Sequence, residues 1–156
     1  MTPPALTDLQ RLVDRSQIED LLHRYCLCAD LNDPQGLADC FTEDCVARYG
    51  QGPPSIGAAA RREQAEHDLA MFSATSHHLS NVRVEHLDRD RARALSVVYA
   101  WHRPLDTLDS WHLWAQYDDV VVRTADGWRI AERTLLLVGE QGFPPEWDWL
   151  TIERAS

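Results

Sequence analysis

Hydrophobic residues early in the chain recur at every third or fourth position, whereas later ones alternate with polar residues. The first spacing predicts an amphipathic helix over residues 15–30. A second, short helix is predicted from Pro34, because proline suits the first turn of a helix, and an alanine-rich segment predicts a third over residues 55–71. The apolar stripe of the first helix consists of Ile18, Leu21, Leu22, Tyr25, Cys28 and Ala29.

The alternating segments predict a run of strands. They cover residues 45–49, a segment that begins near His78, and residues 91–103, 110–124 and 128–138. Asp126 and Gly127 are typical of a tight turn, so they predict a hairpin between the last two strands. Helices followed by antiparallel strands indicate an α+β fold. We expect a curved, mainly antiparallel sheet that wraps around the three helices as a cone with a pocket inside.

Length and composition fit one domain. The chain has 156 residues, of which 44% are hydrophobic and 26% charged, as in ordinary globular proteins. We interpret residues 1–156 as a single domain with its core at about residues 15–138. The segment 139–156 has no clear period, and it either caps the pocket or fills a subunit interface.

Net charge and hydropathy limit the partners. A formal net charge of −10 opposes binding to nucleic acid or to an anionic membrane surface, since both reward clustered Lys and Arg. No segment has the apolar core of a signal peptide or the length of a membrane span. We therefore expect a cytoplasmic protein that binds a small molecule.

The cysteines do not have the spacing of a metal site. Cys26 and Cys28 lie two apart within the predicted helix and so point in different directions, whereas metal-binding pairs usually have two residues between them on a turn. We expect Cys26, Cys28, Cys40 and Cys45 to be reduced, buried thiols. No metal is expected.

Two consecutive histidines precede a run of alternating valines. If Val82 and Val84 face the core, counting in steps of two places His78 on the same inner face and His77 on the outer face. An inward histidine is either a satisfied core residue or a functional one. Asp30 stands in the last turn of the first helix, where a carboxylate is slightly unfavourable against the helix dipole. Asp30 at this position therefore either has no structural explanation or serves a function.

Several motifs occur in the order found in one known family. They are Ile18–Tyr25 with Asp30 and Asp33, Phe41–Asp44, Thr75–Asn81, Tyr99–His102, Tyr117–Asp119 and Gly127–Arg133. In this combination the chain resembles the SnoaL-like branch of the NTF2-like superfamily over residues 15–137. The resemblance implies a cone-shaped α+β barrel, in agreement with the pattern of helices and strands.

The resemblance also implies a site. In lyases of this superfamily, an Asp at the end of the long helix orients a His on the strand after the third helix, and these match Asp30 and His78. Tyr25 and Tyr49 match pocket tyrosines of bile acid 7α-dehydratase that hold or polarise the substrate oxygen. His102 falls near an additional acid/base position. The dehydrochlorinase of the superfamily has a lysine where Tyr25 stands, which argues against dehalogenation.

These residue types suit a lyase or isomerase that needs no cofactor. An imidazole held by a carboxylate can remove a proton next to a carbonyl, and two phenols can hydrogen-bond the enolate oxygen. The first interpretation is a dehydratase for a small, largely apolar hydroxy-ketone, such as a cyclic one. A polyketide-cyclase-like enzyme and a non-catalytic subunit, like the β subunit of ring-hydroxylating dioxygenases, are the alternatives. Relatives commonly associate through the outer face of the sheet, so a homodimer or homotrimer is expected.

Overall fold

The computed structural model describes residues 7–152, which form three helices and six strands. The helices are α1 (Asp8–Asp30), α2 (Pro34–Ala38) and α3 (Ala58–Leu69). The strands are β1 (Phe41–Arg48), β2 (Ser55–Ile56), β3 (Phe72–His86), β4 (Arg91–Pro104), β5 (Trp111–Thr124) and β6 (Gly127–Gln141). The predicted α+β class is confirmed. None of the helices in this part of the chain is long and apolar enough to span a membrane.

The strands form one curved sheet in the order β2-β1-β6-β5-β4-β3. β1 runs parallel to β6, and every other neighbouring pair is antiparallel. Within the described residues the sheet stays open, because β2 and β3 are its edges. α1 packs against β3 and β6, and α3 packs against β1 and β2. The helices therefore cover one face of the sheet, as the sequence predicts.

Side-chain caps fix where the first two helices begin. The Thr7 hydroxyl accepts a hydrogen bond from the main-chain N–H of Gln10 at 3.1 Å. Asp33 Oδ1 accepts one from the N–H of Gly36 at 2.9 Å. Each bond satisfies a main-chain donor that the first turn of a helix leaves free.

The starts of two helices differ from the prediction. α1 begins before the predicted residue 15. Its first turns were not predicted because they expose Leu9 and Leu12 and so carry no inward apolar stripe. α3 begins after the predicted residue 55, because Ser55 and Ile56 pair with β1 as the short strand β2. In both places tertiary context decides the boundary.

The predicted hairpin between β5 and β6 is confirmed. Thr124 pairs with Gly127, so Ala125 and Asp126 form a two-residue loop. Gly127 has a φ of +102°, which a residue without a Cβ adopts at little cost. The hairpin fixes the pairing of the two strands in the middle of the sheet.

The core lies between α1 and the inner face of the sheet. Ile18 and Leu22 from α1 are fully buried against it, as are Val98, Val121 and Ile130 from the central strands. On the sheet these side chains alternate with more exposed ones, as the period of a strand requires.

An irregularity in β3 changes which of its side chains face the helices. The pairing of β3 with β4 shifts between Ser80 and Arg83, and Asn81 between them has a φ of +52°. A bulge of this kind adds one residue to the strand. Odd-numbered side chains before the bulge therefore face the same way as even-numbered side chains after it. His77 therefore shares the inner face with Val82.

Candidate active site

A cavity of about 300 Å³ lies between the helices and the inner face of the sheet. All three helices and all six strands contribute to its walls, which are mainly apolar. Its polar lining includes Tyr25, Tyr49, Arg61, His77 and His102. An apolar cavity with a few convergent polar groups is the usual form of a small-molecule site.

The segment that follows β6 closes one side of the cavity. Phe143, Trp147 and Trp149 line it and pack on one another, with ring centroids 5.2–5.4 Å apart. The segment is tied back to β6, because the N–H of Leu137 donates a hydrogen bond to the carbonyl of Leu150 at 2.6 Å. Of the two positions considered for this segment, the structure supports the cap over the pocket.

Asp30 and His77 are in direct contact at the cavity wall. His77 Nδ1 lies 2.7 Å from Asp30 Oδ1, and the main-chain N–H of His77 donates to Oδ2 at 2.9 Å. The Thr75 hydroxyl donates to Oδ1 at 2.9 Å. Because a carboxylate only accepts, Nδ1 carries the ring proton and Nε2 keeps its lone pair. The contact thus fixes one tautomer of the imidazole.

The carboxyl group of Asp30 is held in its ionised form. Burial by itself would raise the pKa of Asp30. The hydrogen bonds from the ring and main chain of His77, its charge and the Thr75 hydroxyl outweigh burial and lower that pKa below its usual 3.8. These partners come from β3 and not from α1, which explains a carboxylate at the end of a helix.

The predicted contact between Asp30 and His78 is wrong. The His78 ring lies on the outer face of the sheet, with its centroid 5.7 Å from that of Tyr99, and it does not line the cavity. The count in steps of two crosses the bulge at Asn81, which exchanges the two faces. His77 holds the position that the sequence assigned to its neighbour.

His102 lies beside the Asp30–His77 pair. Its ring centroid is 5.5 Å from that of His77, and it lines the cavity. Burial, together with the nearby His77 ring, lowers the pKa of His102 to about 3. The ring is therefore neutral at physiological pH. Its predicted acid/base role can only be that of a neutral imidazole, and that role stays a prediction.

Two phenols meet in the cavity wall. The hydroxyl oxygens of Tyr25 and Tyr49 are 2.8 Å apart. Burial, together with the proximity of Tyr49, raises the pKa of Tyr25 above its usual range, so this phenol keeps its proton. Tyr25 is both a core residue and a cavity residue. Either hydroxyl can donate a hydrogen bond to a ligand.

A buried ion pair supports the Tyr25 ring from behind. Arg133 donates two hydrogen bonds to Asp119, from Nε to Oδ1 and from Nη2 to Oδ2, both at 2.7 Å. Its guanidinium carbon lies 4.1 Å from the ring centroid of Tyr25 and 3.9 Å from that of Tyr117. The apolar period of the strands predicts no role for these two charged residues. The available signal was that both lie in the motifs shared with the family.

Arg61 is a second buried arginine for which the sequence pattern predicts no role. It lies on α3, is only 3% exposed and lines the cavity. Its guanidinium carbon is 4.4 Å from the ring centroid of Tyr49. The signal in the sequence was its spacing of four from Ala65, which puts both on the inward side of the helix.

The cysteines are free and buried, as predicted. Burial raises the pKa of the Cys26 thiol to about 12, so it stays protonated and unreactive. Within residues 7–152, no three His, Cys, Asp or Glu side chains converge as a metal site would require.

Comparison with known proteins identifies a family. Residues 10–134 match the SnoaL-like domain, which confirms the resemblance seen in the sequence motifs. A comparison with curated proteins gave no significant match.

Solved structures share the fold over nearly the whole chain. A candidate scytalone dehydratase from Novosphingobium aromaticivorans has a TM-score of 0.91 at 29% identity, and the match covers 96% of this chain and 100% of that one. A candidate aromatic ring hydroxylase from the same organism has a TM-score of 0.80 at 28% identity, over 85% and 94% of the two chains. A hexachlorocyclohexane dehydrochlorinase, at 19% identity, shares the fold with a TM-score of 0.80 over 95% and 98%.

Proposed function

Because the chain belongs to the SnoaL-like domain family of the NTF2-like superfamily, we propose that it is a small lyase or isomerase whose base is the Asp30–His77 pair. The observation that carries this proposal is the 2.7 Å contact between these side chains in the wall of a mainly apolar cavity. The candidate scytalone dehydratase among its structural neighbours favours dehydration as the reaction. The substrate class is a small, largely apolar hydroxy-ketone.

The first step is removal of a proton next to the carbonyl group. Nε2 of His77 takes the proton, and the electron pair of the C–H bond forms an enolate. Asp30 accepts the hydrogen bond from Nδ1 throughout, so it stabilises the imidazolium as it forms. In a dehydratase, the enolate then expels the neighbouring hydroxyl group, which leaves as water with the proton from His77.

The phenols of Tyr25 and Tyr49 hold the substrate oxygen. One hydroxyl donates to the other, so the pair offers one O–H to the carbonyl, and this bond strengthens as negative charge develops on the oxygen. The Asp119–Arg133 pair keeps the Tyr25 ring in place. A neutral His102 beside His77 can donate a further hydrogen bond but cannot supply a cation.

Replacement of each of the two adjacent histidines tests the proposal. His77→Gln should lower turnover by about 100- to 10,000-fold, the usual contribution of general acid–base catalysis. His78→Gln removes the same side chain from the outer face and should retain turnover, so it is the matched control. The assay is conversion of a panel of hydroxy-ketones, together with exchange of the α-proton for deuterium followed by NMR.

Four results would count against this mechanism or change the reaction assigned to it. If His77→Gln keeps its turnover, the Asp30–His77 pair is not the base. If wild-type protein neither converts nor exchanges any member of the panel, the non-catalytic interpretation is favoured. Exchange without loss of water would indicate an isomerase or a cyclase-like enzyme. Since no metal has a role in this mechanism, added EDTA should leave turnover unchanged, and loss of activity would contradict it.

We also infer a homo-oligomer that forms through the outer face of the sheet. Tyr99, His112 and Trp114 form an aromatic cluster there, in which the Tyr99 hydroxyl lies 2.8 Å from His112 Nδ1. Trp114 is 42% exposed, and large aromatic side chains of this kind are common at interfaces. Sedimentation should detect a dimer or trimer at micromolar concentration, and Trp114→Glu should weaken it. A wild-type monomer would contradict the inference.

A further inference from the structure

The cavity wall contains a positive charge whose donors are unused. Arg61 is only 3% exposed, and its Nε and Nη1 atoms have no hydrogen-bond partner among residues 7–152. A buried cation without hydrogen bonds is costly, since contacts with aromatic rings replace only part of its lost hydration. The arginine therefore needs a partner that this part of the chain does not supply.

The faces and edges of the guanidinium have different surroundings. Its carbon lies 4.4 Å from the ring centroid of Tyr49 and 5.6 Å from that of Phe41, so aromatic rings pack near the cation. Rings at this distance attract a cation but accept no strong hydrogen bond from its edge. Nε and Nη1 are enclosed by protein atoms, so Nη2, which has no hydrogen bond to residues 7–152, is the donor that can meet a ligand in the cavity.

The other buried arginine has a carboxylate partner, although its Nη1 atom also lacks a hydrogen bond among residues 7–152. Arg133 also packs on tyrosine rings, and it donates two hydrogen bonds to Asp119. Arg61 has no such carboxylate within 4.0 Å in the described part of the chain. Asp68, two turns further along α3, attracts it through its charge, but the Asp68 carboxylate accepts a hydrogen bond from Gln64 instead.

We propose that Arg61 binds a carboxylate group of the substrate. A carboxylate can accept a charge-assisted hydrogen bond from Nη2, and its negative charge pairs with Arg61 as soon as the substrate binds. This inference rests on the proposed function, which supplies the hydroxy-ketone part of the ligand. It narrows the substrate class to a small hydroxy-ketone that also carries a carboxylate and whose apolar part fills the cavity.

The test compares carboxylates with their neutral amides by isothermal titration calorimetry. The probes are benzoate, phenylacetate and cinnamate, each paired with its amide. At least one acid should bind wild-type protein more tightly than its amide. Arg61→Gln should weaken binding of that acid by about 10- to 100-fold, the usual effect of a lost charge-assisted hydrogen bond, and leave the amide nearly unchanged.

Two further variants separate a specific contact from a general effect of charge. Arg62→Gln removes the same charge from the next residue of α3, which is exposed and paired with Glu66, so it should bind like wild type. Arg61→Lys keeps the charge but loses the planar guanidinium and the position of its donor, so its affinity should be intermediate. Circular dichroism checks that every variant is folded, and a loss of both acid and amide binding in a folded Arg61→Gln would contradict the inference.

Failure of this inference and failure of the proposed function are distinguishable. If no acid binds more tightly than its amide, or if Arg61→Gln keeps the preference for the acid, Arg61 does not bind a carboxylate. Neither result depends on turnover. Conversely, a carboxylate preference that requires Arg61 would stand even if His77→Gln had no effect on activity.

Discussion

Asp119 and Arg133 face each other across β5 and β6 and are joined by two parallel hydrogen bonds with both side chains fully buried. Removing one partner leaves the other as an unpaired buried charge, which typically costs about 3–5 kcal/mol. Asp119→Ala should therefore lower the free energy of unfolding by about that amount. Urea denaturation measures it.

An exposed ion pair provides the control for that variant. Glu132 on β6 pairs with Arg91 at 3.4 Å, with both side chains about half exposed. Glu132→Ala should change stability by less than about 1 kcal/mol. Equal effects of the two substitutions would mean that burial does not increase the contribution of the Asp119–Arg133 pair to the free energy of unfolding.

Asp30→Asn should impair catalysis and leave binding almost unchanged. An amide can offer its N–H₂ to Nδ1 of His77, which would favour the wrong tautomer of the imidazole and no longer stabilise the imidazolium. We expect turnover to fall by about 100- to 10,000-fold, with a similar affinity for ligands. Steady-state kinetics and calorimetry on one preparation separate these effects, and an unchanged kcat would be the contrary result.

Loss of the Tyr49 hydroxyl should also lower kcat. Tyr49→Phe keeps the ring under Arg61 but removes one of two phenols that can hydrogen-bond the substrate oxygen. Loss of one such donor typically costs about 100- to 1,000-fold in rate. Tyr99→Phe removes a phenol from the outer face and serves as the control. If both variants keep wild-type kcat, the phenol pair does not stabilise the enolate.

His102 should make stability depend on pH. In the folded protein its pKa is lowered to about 3 from 6.5, so the unfolded chain binds a proton that the folded chain does not. The contribution of the neutral His102 to stability is therefore fully present above about pH 6.5 and is lost as pH falls. Between pH 7 and pH 5, wild type should lose about 1–2 kcal/mol more than His102→Gln. Urea denaturation at several pH values would detect this, and parallel curves would contradict it.

The class of fold could be predicted from periodicity and turn chemistry alone. The stripe that contains Ile18 and Leu22 predicted α1, and the pair Asp126 and Gly127 predicted the last hairpin. These signals are local, because a helix or a tight turn is specified by residues a few positions apart. Helix starts were less well predicted, since exposed turns carry no apolar period.

The detailed site could not be predicted, because bulges alter the count along a strand. Asn81 adds one residue to β3 and so exchanged the roles of His77 and His78. A second irregularity lies between Val120 and Val121 in the pairing of β5 with β6. A strict count from the hairpin would pair Asp119 with Glu132 and hide the ion pair with Arg133.

Buried charge was the other feature that periodicity could not detect. Patterns of apolar residues treat an arginine as a solvent-facing position, so Arg61 and Arg133 were both left without a role. Their partners are aromatic rings and a carboxylate from other elements of the chain. Only three-dimensional contacts distinguish such residues from the many exposed arginines.

The indoles of Trp147 and Trp149 in the cavity cap supply an optical signal for occupancy. The two rings stack with centroids 5.2 Å apart and line the cavity, so a ligand that enters will change the polarity around them. Emission of the unlabelled protein should therefore shift on titration with a ligand and follow the calorimetric binding curve. Substituting both residues with phenylalanine should abolish that shift while four other tryptophans, Trp101, Trp111, Trp114 and Trp128, continue to emit. Ligands can thus be screened by tryptophan fluorescence before any reaction is known.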